Sequence, residues 1–200
     1  MSVFDEAAKT WDLKPERVDT ARRIGEAIVS LLPVSRKWRV LDFGAGTGLL
    51  TFYLEPFVSE VVSLDNSKGM VEVLSEKIEK LGIKKVKPVL GSFEDTHFEE
   101  PFDLIVSSMA VHHVKDLKSL FNWFSSNLKS KGFLAISDLE KEDGTFHSSN
   151  EGVYHFGFDR EEIFKFMKLS GIEPVDYRVV KVFHRNNKEY PLFLAVGRKP

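Results

Sequence analysis

Hydrophobic and polar positions along the chain follow two alternating patterns. Short apolar runs, which are typical of buried β-strands, are separated by longer segments in which apolar residues recur three and four positions apart. The runs predict strands at 38–42, 61–65, 86–90, 102–108 and 133–137, and two closing strands at 175–183 and 192–196, joined through Asn186 and Asn187.

The segments between the strands predict amphipathic helices with recognisable ends. Ser67 and Asp116 are residue types that cap helix N-termini, and Gly82 is typical of the residue that follows a helix. Asp159 and Glu162 form a variant of the capping box. The helices are predicted to begin at Pro15, Leu49, Ser67, Asp116 and Asp159, and to end at Pro33, Pro56, Gly82, Gly132 and Gly171.

Strands and helices alternate through most of the chain, which predicts a mostly parallel sheet with helices on both faces. We find no internal repeat and no linker-like segment, so the pattern predicts one domain. A chain of 200 residues should bury about 70% of its unfolded surface, so a substantial core is available.

Composition excludes several classes of protein. The 28 Lys and Arg nearly balance the 30 Asp and Glu, for a formal charge of −2, which is not the electrostatic pattern of a nucleic-acid binder. The absence of cysteine excludes disulfides, thiolate metal sites and a cysteine nucleophile. No apolar run approaches the ~18 residues that span a bilayer, and Asp5 and Glu6 interrupt any signal-peptide core. We therefore expect a soluble, cytoplasmic protein that binds neither nucleic acid nor membrane.

The first predicted strand leads into three alternate glycines, Gly44, Gly46 and Gly48. Glycine lets the backbone approach a ligand closely and adopt positive φ. A strand, a glycine-rich turn and a helix start together form a crevice for a nucleotide cofactor. Leu49 stands where a dinucleotide fingerprint needs glycine or alanine, and the Gly-Lys-Ser/Thr ending of a Walker A loop is missing. A nicotinamide oxidoreductase is therefore the least favoured function.

Residues 42–48, Asp-Phe-Gly-Ala-Gly-Thr-Gly, resemble motif I of the class I S-adenosylmethionine (SAM)-dependent methyltransferases, D/E-x-G-x-G-x-G. The resemblance continues in register at Asp65, at 92–93 and at 107–113, each of which follows a predicted strand. It covers roughly residues 38–140. Within the class, the chain is similar to the small biosynthetic methyltransferases related to the quinone-methylating type.

The resemblance implies an α/β fold: a Rossmann-like, doubly wound, mostly parallel seven-stranded sheet with helices on both faces and an antiparallel last strand. It further implies a single domain over 1–200. Within it, 1–33 would form an N-terminal lid and helix, 38–140 the cofactor-binding core, and 141–158 a loop that covers the substrate. A structureless loop of that length is usually functional.

The cofactor implied is SAM, with S-adenosylhomocysteine as product. By resemblance, Asp42 would help bind the amino group of SAM, Asp65 its ribose and Phe93 its adenine, while Trp11 and Arg17 would close over it. The complete set of implied cofactor residues is Trp11, Arg17, Asp42, Gly44, Ala45, Gly46, Gly48, Asp65, Asn66, Met70, Ser92, Phe93, Ser108 and Met109.

A neutral acceptor must also lose a proton, and histidine is the usual base near neutral pH. His112 and His113 leave the fourth strand beside the presumed methyl site, and His155 lies in loop 141–158, as does His147. The predicted catalytic candidates are His112, His113 and His155. Each of these histidines could instead have a purely structural role.

Two charged groups of side chains are interpreted without a functional role. A carboxylate cluster after the fifth strand could bind a divalent metal, as in catechol-type methyltransferases, but we predict an exposed acidic loop and no metal site. A lysine cluster is interpreted as a solvated face. These clusters are Asp138, Glu140, Glu142 and Asp143, and Lys77, Lys80, Lys84, Lys85 and Lys87.

The predicted function is methyl transfer from SAM to an oxygen, nitrogen or carbon atom of a small-molecule acceptor. The sequence leaves the acceptor and the oligomeric state open. One alternative is a protein or nucleic-acid methyltransferase; residues 107–110, Ser-Ser-Met-Ala, lack the Asn/Asp-Pro-Pro-Tyr/Phe motif common among amino-methylating enzymes of that kind. A second alternative is a SAM-binding module without catalysis.

Overall fold

A computed structural model describes residues 3–185 and 187–200. Seven strands form one sheet in the order β3-β2-β1-β4-β5-β7-β6. Strands β1 to β5 pair in parallel, and β7 lies antiparallel between β5 and β6. The strands are β1 (Arg39–Phe43), β2 (Glu60–Asp65), β3 (Val86–Leu90), β4 (Phe102–Ser108), β5 (Leu128–Leu139), β6 (Glu173–Arg185) and β7 (Lys188–Arg198). Of the predicted turn between the closing strands, Asn186 lies outside the described residues.

Six α-helices accompany the sheet in the described part of the chain: α1 (Val3–Ala7), α2 (Pro15–Leu31), α3 (Leu49–Leu54), α4 (Lys68–Leu81), α5 (Leu117–Asn127) and α6 (Arg160–Leu169). The predicted cap of α4 is confirmed, because Ser67 Oγ accepts the Met70 N–H at 3.2 Å. The cap of α5 is confirmed by Asp116, and Gly82 adopts φ +65° after α4. Local sequence signals therefore set these helix ends.

Two predicted boundaries are wrong. Helix α5 ends at Asn127 rather than at Gly132, and β5 begins at once with Leu128, which pairs with Phe102 of β4. Leu128 continues the apolar spacing of the helix, so the sequence pattern alone does not reveal the change. Asp159 precedes α6 without making a side-chain cap, so the capping box is also not formed.

Apolar side chains cover both faces of the sheet. In β4, Ile105 faces one buried cluster with α5 and α6, whereas Leu104 and Val106 face a second cluster with α2 and α3. The predicted doubly wound α/β class with an antiparallel β7 is confirmed. Among the described residues, no helix combines the length and the apolar character needed to cross a membrane.

Candidate functional site

The glycine loop leaves the carboxyl end of β1 and is fastened to β2. Gly44, Gly46 and Gly48 all have positive φ, at +68°, +56° and +84°. The N–H groups of Gly44 and Ala45 donate to the carbonyl of Leu64, at 2.9 and 3.1 Å. The loop is therefore held in a conformation that residues with side chains rarely adopt.

The segment after β4 lies directly against this loop. A Cβ atom on Gly44 would come within 2.3 Å of the Ala110 Cβ, so only glycine fits there. Met109, with φ +55°, turns the chain out of the strand. His112 and His113 follow two and three residues after Ala110, in the segment that packs on the glycine loop.

Asp65, at the end of β2, supports the loop from the other side. One carboxylate oxygen accepts the Gly46 N–H at 2.7 Å, and the other accepts the Ser67 N–H at 2.8 Å. Burial raises the pKa of Asp65, while these backbone hydrogen bonds oppose the shift. The Asn66 main chain also contributes a hydrogen bond, and the carboxylate keeps acceptor capacity for one further donor, as a ribose hydroxyl would supply.

Asp42, by contrast, lies beneath the loop. Its side chain is 1% exposed and accepts a hydrogen bond from the Thr51 hydroxyl at 2.6 Å. Burial, reinforced by the charge of Asp65, raises the pKa of Asp42 to about 7. A direct contact between this carboxylate and the amino group of SAM would require the loop to move, so only the indirect contact fits this geometry.

The predicted adenine contacts are also partly buried. Phe93 is 7% exposed, and its ring packs edge-on against Trp123 with 6.2 Å between centroids. Phe93 belongs to a core cluster, and its contact with adenine stays a prediction. Ser92 donates to Asp95 at 3.0 Å. Of the remaining predicted cofactor residues, Trp11, Arg17, Ala45, Ser108 and Met109 are half-buried, Asn66 is exposed and Met70 is buried.

The N-terminal segment crosses the crevice and is attached on both sides. Asp12 accepts hydrogen bonds from the Thr47 hydroxyl at 2.5 Å and from the Lys77 ammonium at 2.6 Å. Lys77 also donates to the Thr47 carbonyl at 2.6 Å, so this lysine is not part of a solvated face. Asp5 accepts from Ser67 Oγ at 2.7 Å, at the N-terminus of α4.

Trp11 and Arg17 contact each other within this segment. The guanidinium of Arg17 lies 3.4 Å from the centre of the Trp11 ring and donates to the Trp11 carbonyl at 3.3 Å. Burial, and secondarily the charge of Arg185, lowers the pKa of Arg17. Among the described residues, no carboxylate forms an ion pair with Arg17.

His112 forms a fully buried pair with Asp138, near the end of β5. Their exposed fractions are 2% and 0%, and His112 Nδ1 lies 2.8 Å from one Asp138 oxygen and 3.0 Å from the other. The prediction that Asp138 belongs to an exposed acidic loop is therefore wrong. No group of three or more His, Asp or Glu residues in the described ranges is arranged to hold a metal ion.

Two further histidines surround this pair. The rings of His113 and His147 lie 4.0 and 5.0 Å from the His112 ring. Burial lowers the pKa of each to about 4, and His112 contributes. His155, a predicted catalytic candidate, is not in this cluster: its Nε2 donates to the Val114 carbonyl at 3.0 Å, a contact that anchors loop 141–158.

The predicted site contains the glycine loop, Asp65, His112 and His113. Asp138 was predicted only as a possible metal ligand or an acid of an exposed loop, and Asp12 was not predicted to have a role. The signal for Asp138 was an acid at the carboxyl end of a parallel strand, where ligands of such sheets bind. No local signal marked Asp12, because its partners are remote along the chain.

Comparison with known proteins agrees with this geometry. The model of a family described as "Methyltransferase domain" matches residues 35–177. An uncharacterized methyltransferase of Schizosaccharomyces pombe is 37% identical over 155 residues, 68% of this chain and 55% of that protein. The chain spans about half the length of the curated relatives it matches.

Solved structures share the fold at low identity. A putative methyltransferase of Haloferax volcanii, solved in complex with the Trm112 methyltransferase activator, has a TM-score of 0.83 at 18% identity, covering 100% of this chain and 99% of that one. Phosphoethanolamine N-methyltransferase 2 of Haemonchus contortus, solved with SAM, has a TM-score of 0.73 at 17% identity, covering 100% and 61%.

The fold and the glycine loop define a class I SAM-dependent methyltransferase, and the predicted cofactor, SAM, is confirmed for this class. The chain belongs to the methyltransferase domain family.

Proposed function

We propose that this protein transfers a methyl group from SAM to a small-molecule acceptor, and that a histidine of the segment after β4 receives the acceptor's proton. One observation carries the proposal: the close approach of Ala110 to Gly44, where a Cβ would meet Ala110 at 2.3 Å. His112 and His113 belong to the same segment, two and three residues after Ala110.

The residues of the crevice fit SAM. A cradle of three glycines with positive φ admits a ligand where side chains would block it. Asp65 keeps acceptor capacity beyond its bonds to the main chain of Gly46, Ser67 and Asn66, which suits a ribose hydroxyl. The proposed cofactor residues are therefore the main chain of 44–48 and Asp65, with Asn66, Ser92, Ser108, Met109, Trp11 and Arg17 around them.

SAM supplies a methyl carbon that the neighbouring sulfonium makes electrophilic. The protein's residues then have two tasks: to align the acceptor and exclude water, and to remove the acceptor's proton. His113, with a pKa lowered to about 4, is neutral near pH 7 but is a weak base. His112 differs from it by its contact with the Asp138 carboxylate.

The covering segments support a small acceptor. The Tyr154 N–H donates to the His112 carbonyl at 3.0 Å, and His113 Nδ1–H donates to the Gly152 carbonyl at 2.7 Å. Loop 141–158 therefore lies over the histidines, while the N-terminal segment lies over the glycine loop. A folded protein or a nucleic acid would have to displace both segments to reach the histidines, which favours a small acceptor.

The proposal is tested in two stages. Calorimetry should detect binding of SAM and S-adenosylhomocysteine with micromolar affinity, and Asp65→Ala should abolish it, whereas Glu72→Ala, at an exposed position of α4, should not. Failure of both compounds to bind would refute the proposal.

Tritium-labelled SAM should then label members of a panel of small phenols, amines and carboxylic acids. Label in bulk RNA or protein instead would favour a macromolecular acceptor. Binding without any transfer would identify a SAM-binding module.

A further inference from the structure

The buried pair of His112 and Asp138 has a fixed arrangement. Besides the imidazole, the Asp138 carboxylate accepts the His112 main-chain N–H at 3.2 Å and the Leu139 N–H at 2.8 Å. Three donors from two elements thus converge on one carboxylate that has no contact with solvent. A buried charge needs such compensation, and the arrangement leaves the imidazole ring little freedom to turn.

The chemistry of this contact determines where the imidazole proton lies. An ionised carboxylate only accepts hydrogen bonds, so Nδ1 of His112 must be the protonated nitrogen. In neutral His112, Nε2 then carries a free lone pair. This atom is buried and has no hydrogen-bond partner among the described residues. Buried polar atoms are nearly always satisfied, so an unsatisfied lone pair in the segment that packs on the glycine loop indicates a site for a ligand's donor.

The neighbouring histidines do not share this property. Burial, and secondarily the charge of His112, lowers the pKa of His113 and of His147 to about 4. Asp138 contacts only His112 of the three rings. A positive charge that forms on His112 during a reaction therefore has a counter-charge within 3 Å, whereas one on His113 or His147 does not.

We propose that Asp138 is a positioning residue that holds His112 with its proton on Nδ1, so that Nε2 takes the proton of a hydroxyl or amine acceptor. The inference rests on the proposed function and narrows it to acceptors that carry a removable proton. It assigns the base to His112 and excludes His113 and His155 from that role.

The proton and electron balance is simple. As the acceptor's oxygen or nitrogen forms its bond to the methyl carbon, its bond to hydrogen breaks and that electron pair stays on the acceptor. The proton moves to His112 Nε2. The old bond of the methyl carbon breaks with both electrons remaining on sulfur, so no oxidant or reductant is required. The imidazolium and Asp138 together are neutral, and one proton reaches solvent per methyl group when His112 resets.

The first test is spectroscopic and needs no turnover. In protein with ¹⁵N-labelled histidine, the His112 signals are assigned by their disappearance in His112→Gln. At pH 7.5 they should show the tautomer with a protonated Nδ1 and an unprotonated Nε2. In Asp138→Asn the His112 signals should shift as this single tautomer is lost. A wild-type His112 with its proton on Nε2 would overturn the proposal, whatever the activity of the protein.

The second test separates positioning from stability. We expect Asp138→Asn to lower kcat roughly 100-fold, at the lower end of what a general base contributes, with the Kd for S-adenosylhomocysteine within about twofold of wild type. Asp143→Asn is the matched control, since Asp143 is an exposed acid five residues further along the chain that pairs with Lys188. It should leave both quantities unchanged.

The outcomes distinguish this proposal from the proposed function. A protein that methylates no acceptor but shows the Nδ1-protonated tautomer would refute the function and retain the positioning role. An Asp138→Asn variant with normal kcat would refute the positioning role and retain the function. If circular dichroism shows that Asp138→Asn does not fold, two other measurements test the positioning role. These are the ¹⁵N spectrum of wild-type His112 and the kcat of His112→Gln, which is expected to fall at least 100-fold.

Discussion

The carboxylate of Asp12 accepts a hydrogen bond from the Thr47 hydroxyl at 2.5 Å, between residues 35 positions apart. Lys77 completes this contact by donating to both residues. Thr47 lies between the second and third glycines of the cofactor loop, so the N-terminal segment is attached to the loop itself. We expect ligand entry and release to require this attachment to open.

We expect Asp12→Asn to speed the dissociation of S-adenosylhomocysteine by roughly tenfold, because a hydrogen bond to a charged group contributes about 1.5–3 kcal/mol and partial exposure reduces that contribution. Stopped-flow fluorescence of Trp11, in the same segment, provides the measurement. Glu6→Gln, an exposed acid of α1, is the control. An unchanged dissociation rate in Asp12→Asn would show that the segment does not gate the crevice.

Gly44→Ala should both destabilise the protein and weaken SAM binding. A left-handed residue with a side chain costs about 1–2 kcal/mol, and the clash with Ala110 adds about 1–3 kcal/mol. Gly82→Ala is the control, since its φ of +65° is similar but its added Cβ would meet nothing within 4 Å. Urea denaturation should give the larger loss for Gly44→Ala, and equal losses would contradict the packing argument.

The stability of the protein should fall as pH rises from about 4 to about 7 through Asp42. Its pKa in the folded state is raised to about 7, above the ~3.9 of an unfolded chain, so the native state binds the extra proton between these values. Asp42→Asn removes the effect. Relative to wild type, it should gain at least about 1 kcal/mol between pH 4.5 and pH 8 in urea denaturation.

Asp116 provides the opposite control for this pH dependence. Hydrogen bonds from Ser119 lower the pKa of Asp116, so its contribution to stability is present above the unfolded pKa and is lost as pH falls. Asp116→Asn should therefore lose stability relative to wild type at neutral pH, and not at low pH. A gain for both variants at pH 8 would indicate a general charge effect.

Arg17→Met should weaken the binding of S-adenosylhomocysteine by roughly tenfold. This corresponds to about 1.4 kcal/mol, which is typical of one hydrogen bond to a charged group. Methionine keeps an unbranched side chain against Trp11 but removes the positive charge of Arg17. No carboxylate of the described residues forms an ion pair with that charge, so we expect it to contact the amino-acid carboxylate of the ligand. 5′-Methylthioadenosine lacks the amino-acid carboxylate, so calorimetry should show little change for it. Equal losses for both compounds would mean that Arg17 acts only by packing. Arg22→Met, paired with Asp19 and Glu26, is the control.

The helix caps and strand runs were predictable because they depend on neighbours within a few residues. Ser67 caps α4 through the N–H three positions on, and strand β4 was predicted over its full length. The predicted end of α5 failed at Leu128, whose apolar side chain suits a helix and a strand equally, so that only pairing with Phe102 decided between them. Residues close in sequence therefore determine a secondary-structure element only where they clearly favour one backbone conformation.

By itself, the sequence determined the alternation of strands and helices, the glycine loop, and hence the class of cofactor. Only the tertiary structure joined His112 to Asp138 across 26 residues, and Asp12 to Thr47 and Lys77. The physical reason is that backbone geometry follows from contacts close in sequence, whereas a proton acceptor and its counter-charge meet only when separate strands of one sheet end side by side. The tertiary structure also showed that His147, and not His155, lies beside the buried pair. The sequence could not show this, because the path of a long loop depends on where its main chain finds hydrogen bonds.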